Sequence, residues 1–218
     1  MASKKAKTPE PTTIFLVRHG KTPTTGSVLP GRAKGLHLAE AGVQQAGRVA
    51  QRLAALGSDS FAAVYASPME RTRETAAPIG KALGHRVQIR KGLIEADFGE
   101  WTGRKLRELY KLPEWQKVQN YPSGFRFPGG ESFTEMQTRI TGALQQIVGD
   151  HPGQRVVCVS HADPIKAAIA DALGTHLDLF QRIVVSPCSV SAVLFTHTGP
   201  MVLAVNSTGD DLSALVPS

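Results

Sequence analysis

Short, β-rich apolar runs alternate with helical stretches along almost the whole chain. That alternation restricts the fold to an α/β class, a three-layer sandwich with a mostly parallel central sheet flanked by helices. Residues 14–17, 61–66, 87–89 and 156–160 read as strands. Residues 39–56 read as a helix, with apolar spacing at Val43, Ala46, Val49, Ala50 and Leu53 and a stop at Gly57. Pro68 opens a second helix running to about Leu83, with a kink expected at Pro78. Residues 132–148 place Phe133, Met136, Ile140, Leu144 and Ile147 on one helical face, and residues 164–173 form another helix. Two strands, 189–196 and 201–206, follow, joined through Thr198-Gly199-Pro200. Residues 95–133 read as irregular except for a short helix over 105–110.

Composition narrows the function classes. With 41% hydrophobic and 20% charged residues, the chain is an ordinary globular protein. No stretch approaches about 18 consecutive apolar residues, so a membrane span is not expected. The segment 1–10, with Lys4, Lys5 and Lys7, is expected to be a disordered basic tail ahead of a single domain over 11–218. Cys158 and Cys188 are too few for a disulfide framework, which together with the lack of an export signal points to a cytoplasmic location. The net charge of +7 favours anionic partners. Aromatic residues are only 6% and do not interleave with basic ones, so nucleic acid is not expected; a solvated basic surface accounts for the charge, and a phosphorylated small molecule fits it equally well.

In open α/β sheets ligands bind beyond the carboxyl ends of the strands. His19 follows the first strand, inside Arg18-His19-Gly20. Arg71 begins the helix after the second, Glu95 follows the third, and His161 follows the fourth. Imidazole suits a nucleophile, guanidinium suits an anion, and glycine behind the histidine leaves no side chain to crowd a ligand. Each residue also has a structural alternative. A histidine at a strand end is more often structural or solvated. Arg71 and Arg73 beside Glu70 and Glu74 form ordinary helix-surface pairs, worth a few tenths of a kcal/mol. His37, His85, His151, His176 and His197 have no motif around them and are expected at the surface. Asp163 near His161 suggests a metal pair, but no His-Glu-x-x-His or cysteine pair supports one, so no metal is expected.

Leu16-Val17-Arg18-His19-Gly20, Ser67-Pro68-Met69-Glu70-Arg71-Thr72-Arg73-Glu74-Thr75, Glu95 ahead of Phe98-Gly99-Glu100-Trp101, and Ser160-His161 together resemble the histidine phosphatase superfamily, the phosphoglycerate-mutase-like proteins. The resemblance runs from about residue 12 to about residue 208. It implies a phosphoglycerate-mutase-like fold and covalent phosphohistidine chemistry without a metal or other cofactor. His19 is then the nucleophile, with Arg18 and Arg71 as planar forks for the phosphate. Glu95 is the proton donor and later the base, His161 a donor to a phosphate oxygen, and the Ala162 N–H a further donor at a helix start. Homodimers are common in the family, and the sequence does not decide that point.

The family contains mutases and phosphatases. Cofactor-dependent mutases usually carry Glu or Gln and then Ser after Arg-His-Gly, with an Asn further on. Here Lys21 and Thr22 follow, and Thr25 stands where the Asn would fall, still able to offer one hydroxyl to a substrate. Pro128-Gly129-Gly130-Glu131-Ser132 resembles the broad-specificity phosphatase branch. The leading expectation is a phosphomonoester hydrolase. The alternatives are a phosphoglycerate-type phosphomutase and a phosphoester-binding regulatory protein with weak activity. Selectivity is expected in the 21–35 loop and the 100–130 segment, with Arg32, Lys34, Arg104, Lys105, Tyr121, Arg126 and Phe127 as candidates.

Overall fold

The computed structural model describes residues 10–209. The tail expected over 1–10 lies outside the described residues, save for Glu10. Six strands form one sheet: β1 (Thr12–Arg18), β2 (Phe61–Ala66), β3 (Val87–Ile89), β4 (Arg155–Ser160), β5 (Val190–Thr196) and β6 (Gly199–Ser207). Their order is β3-β2-β4-β1-β5-β6. The first four are parallel to one another, while β5 and β6 run antiparallel at one side. A mostly parallel sheet is therefore what forms.

Strands buried on both faces carry apolar side chains at every position. Ile14, Leu16, Val156 and Cys158 point into one core layer, and Phe15, Val17, Val157 and Val159 into the other. Each fully buried side chain of this size contributes about 1.5–3 kcal/mol through removal from water. The second layer is closed by α1 (Glu40–Ala54) and α2 (Glu70–Ala82), through Ala46, Val49, Leu53, Ala76 and Ile79. The first is closed by α5 (Phe133–Asp150) and α6 (Ala162–Ala172), through Phe133, Met136, Ile140, Ile165 and Ile169. In sequence, α3 (Leu106–Leu109) and α4 (Pro113–Asn120) come between α2 and α5, and their Leu109 and Val118 join the first layer.

The expected boundaries shift in informative ways. α2 begins at Glu70, not Pro68, because Met69 caps it in an extended conformation and Thr72 Oγ1 donates to the carbonyls of Ser67 and Met69. It runs on through Pro78. α4 falls in the segment read as irregular, with Pro113 in its first turn, where a missing N–H is tolerated. α5 starts from a reciprocal cap: Ser132 Oγ accepts from Glu135 N at 3.2 Å, and the Glu135 carboxylate accepts from Ser132 N at 2.9 Å. Among the described residues no helix is long and apolar enough to cross a membrane.

Two histidines expected at the surface are structural ties. His151 Nε2 meets the Tyr65 hydroxyl at 2.8 Å, and His85 Nε2 donates to the Phe61 carbonyl at 2.7 Å. Their partners are 86 and 24 residues away, which is why local sequence does not reveal them. Cys158 and Cys188 are both buried and free.

Candidate active site

Parallel pairing of β1 with β4 sets Arg18 beside Ser160, and His19 N donates to the Ser160 carbonyl at 3.0 Å. The two histidines therefore leave the sheet side by side, with ring centroids 5.2 Å apart. β2 adjoins β4, so the chain leaving it brings Arg71, in the first turn of α2, to the same edge. Ser160 Oγ donates to the Leu93 carbonyl at 2.7 Å and ties the segment leading to Glu95 to the end of β4.

Arg71 is fully buried and joins the pieces. Its Nε donates to His19 Nε2 at 3.3 Å. Its Nη2 donates to the Gly31 carbonyl at 2.8 Å and to His161 Nδ1 at 3.2 Å. His161 Nδ1 lies 3.9 Å from Glu95 Oε2. Arg18 Nη1 donates to the Val185 carbonyl at 2.7 Å. Two buried donors in this group have no partner among the described residues, Arg71 Nη1 and Arg18 Nε. Buried donors without acceptors are rare and unfavourable. Ala162 opens α6, and its N–H is one of those that a helix start leaves without an intrahelical acceptor.

The state of His19 follows from its neighbours. Its Nδ1 lies 2.8 Å from the Gly20 carbonyl, which can only accept, so Nδ1 carries the hydrogen. A guanidinium can only donate, so the Nε2 that receives Arg71 Nε is unprotonated and its lone pair is the acceptor. Burial, followed by the charges of Arg71 and Arg18, lowers the ring's pKa to about 3. His161 is held well below its ordinary value by burial first and then by Arg71. Glu95 moves the other way. Burial and then the charge of Asp163 raise it to about 7 against the pull of Arg71.

The Glu95 loop is held by residues whose role the sequence did not disclose. The Glu95 carbonyl accepts from Arg32 Nε at 2.9 Å and Arg139 Nη2 at 3.4 Å. Both arginines also bind the Glu131 carboxylate, at 3.1 Å for Arg32 Nη2 and 2.8 Å for Arg139 Nε, and Asp97 N donates to the same group. Gly99, at φ +50°, and Gly130 let the 95–99 and 128–131 segments touch backbone to backbone, with no room for a Cβ on either. The Pro128-Gly129-Gly130-Glu131 motif thus buttresses the carboxylate loop.

Other expectations change. Gly20 leaves room for α1 rather than for a ligand, since a Cβ there would lie 2.6 Å from the Gly42 carbonyl. Thr25 Oγ1 accepts from Thr22 N at 2.8 Å and closes the 22–25 turn, with no bond to the other site residues. Arg32 is engaged as above, Phe127 sits in the core, and Arg126 pairs with Glu135. Lys105, one of the selectivity candidates, lines a groove of about 490 Å³ with Ser27, Val28, Leu106, Arg107 and Tyr110. Ser67, 2.7 Å from His161 Nε2 through its Oγ, is a site residue that sequence reasoning missed.

The model of the histidine phosphatase superfamily, branch 1, matches residues 14–208. Phosphoserine phosphatase 1 of Hydrogenobacter thermophilus is 32% identical over 200 residues, covering 89% of this chain and 92% of that protein. A protein of Cronobacter sakazakii named "probable phosphoglycerate mutase GpmB" is 33% identical over 183 residues, 83% of each chain. Three mycobacterial relatives are 32% identical over 201 residues, and the chain spans about half of their length, 55%. A crystal structure of a mutant phosphoserine phosphatase from Entamoeba histolytica, in complex with phosphoserine, matches with TM-score 0.81 and 27% identity, over 91% of this chain and 98% of that one.

Proposed function

The chain belongs to the histidine phosphatase superfamily, and from that premise we propose that it hydrolyses phosphomonoesters through a phosphohistidine at His19, without a metal. The observation that carries this reading is the unprotonated Nε2 of His19, set among Arg71, Arg18 and His161 at one sheet edge.

In the first step His19 Nε2 bonds to phosphorus while the ester P–O bond breaks. The leaving oxygen takes its proton from Glu95, which is protonated below about pH 7. In the second step Glu95, now ionised, removes a proton from water as its oxygen attacks phosphorus and the P–N bond breaks, releasing phosphate. Arg18, Arg71, His161 and the Ala162 N–H receive the charge on the non-bridging oxygens, where most of the catalysis of phosphoryl transfer resides.

Phosphorylated small molecules are the substrates this site suits, and phosphoserine is the first to test given the similarity to two phosphoserine phosphatases. The direct assay is hydrolysis of an aryl phosphate in the presence of chelator. Turnover that survives chelator and disappears in His19→Ala supports the reading. Turnover lost to chelator, or kept in full by His19→Ala, ends it. Stimulation by a bisphosphate, with transfer between positions of a phosphoglycerate, would identify a mutase instead.

A further inference from the structure

We propose that Ser67 is a positioning residue whose hydroxyl, 2.7 Å from His161 Nε2, alternates between accepting and donating so that the neutral His161 ring can turn its one N–H toward a bound phosphate. The proposal rests on the phosphatase reading above.

A neutral imidazole has one N–H, and the neighbours of its two nitrogens decide which one carries it. Arg71 Nη2 faces His161 Nδ1 at 3.2 Å and can only donate, so Nδ1 accepts. The hydrogen is then on Nε2 and is given to Ser67 Oγ. Ser67 Oγ also receives Met69 N–H at 3.4 Å. In this arrangement the serine's own O–H has no acceptor among the described residues, although the side chain is fully buried. The resting site thus holds an unused hydroxyl hydrogen.

A phosphate in the site reverses the demand. Arg71 turns its donors to the anion, and a phosphate oxygen needs a donor from His161 rather than a lone pair. Moving the ring hydrogen to Nδ1 supplies that donor and exposes the Nε2 lone pair to Ser67. The serine hydroxyl then donates, and its idle hydrogen is used. Full burial holds the ring neutral, so the change of tautomer takes the place of protonation. Only a side chain that both donates and accepts can follow the ring through this change, and a hydroxyl does. The loaded site gains one hydrogen bond that the resting site lacks, worth up to about tenfold in anion affinity.

The test is nitrogen NMR of protein labelled at histidine, with His161 identified by comparison with His161→Gln. The expected result is a proton on Nε2 without phosphate and on Nδ1 with saturating inorganic phosphate. Ser67→Ala is expected to raise the inhibition constant of inorganic phosphate about tenfold and to lower kcat/KM on an aryl phosphate by a similar factor. A His161 ring that keeps its proton on one nitrogen in both states overturns the proposal, as does Ser67→Ala with unchanged phosphate inhibition. The wild-type measurement stands even where Ser67→Ala does not fold. It requires phosphate binding and not turnover, so its result is separate from that of the His19→Ala assay.

Discussion

Arg71 Nε stands 3.3 Å from His19 Nε2. A guanidinium has no lone pair, so this contact exists only while the imidazole nitrogen is unprotonated. The same arginine that would receive the phosphate therefore keeps the nucleophile ready for it. Arg71 also spans to Gly31 and His161, which a lysine's single ammonium cannot do in the same geometry. Arg71→Lys is expected to lower kcat/KM by roughly 10- to 100-fold through lost charge-assisted hydrogen bonds. Steady-state kinetics on an aryl phosphate, with phosphate inhibition measured in parallel, checks this. A loss of less than about twofold would place the phosphate elsewhere.

Glu95 is assigned the leaving-group proton. Poor leaving groups need that proton and good ones do not. Glu95→Gln should therefore slow alkyl phosphates such as phosphoserine far more than a nitrophenyl ester. Measured kcat values across a series of leaving groups would become steeper in the variant. A uniform loss across the series would contradict the donor role.

The pH profile follows from two opposite shifts. His19 is charged only below about pH 3, so activity is lost as pH falls through that value. Glu95 loses its proton above about pH 7, so activity on poor leaving groups declines as pH rises through it. After burial, the charge of Asp163 is the main cause of the high Glu95 value. Asp163→Asn should accordingly move the alkaline limb of kcat/KM to lower pH. An unmoved limb would mean that another group sets it.

The same shift has a consequence for stability. The folded Glu95 binds its proton up to about pH 7, whereas the unfolded side chain releases it near its ordinary value of 4.5. The folded state therefore holds more protons across that window, and this group's contribution to stability falls as pH rises from about 4.5 to 7. Above the window the deficit is roughly 3 kcal/mol by linkage. Glu95→Gln, which cannot ionise, should raise the melting temperature at pH 8 and leave it nearly unchanged at pH 4. Equal effects at both values would contradict the buried, proton-holding carboxyl.

The site is legible in the sequence where its residues sit at strand ends. β1 and β4 are buried on both faces, so they appear as unbroken apolar runs, and the histidines after them are marked by position alone. The supports are not legible. Arg32 reaches the Glu95 carbonyl across 63 residues and Glu131 across 99, and no local pattern announces such a pairing. Thr25 and Phe127 were legible only as residue types near the motifs. Their burial and bonding depend on how the 22–25 turn and the aromatic cluster around Trp101 close. α4 was missed despite Pro113, because a polar, mostly exposed eight-residue helix carries little apolar periodicity.

The mechanism stands or falls on a covalent bond between His19 and phosphorus. Mixing the protein with an aryl phosphate, quenching in alkali to preserve phosphohistidine, and mapping the peptides by mass spectrometry tests it most directly. The expected result is one phosphoryl group on the peptide carrying His19, formed at the rate of the initial burst and absent in His19→Ala. Turnover with no phosphoryl group on His19 at any time, or with one on another residue, would contradict it.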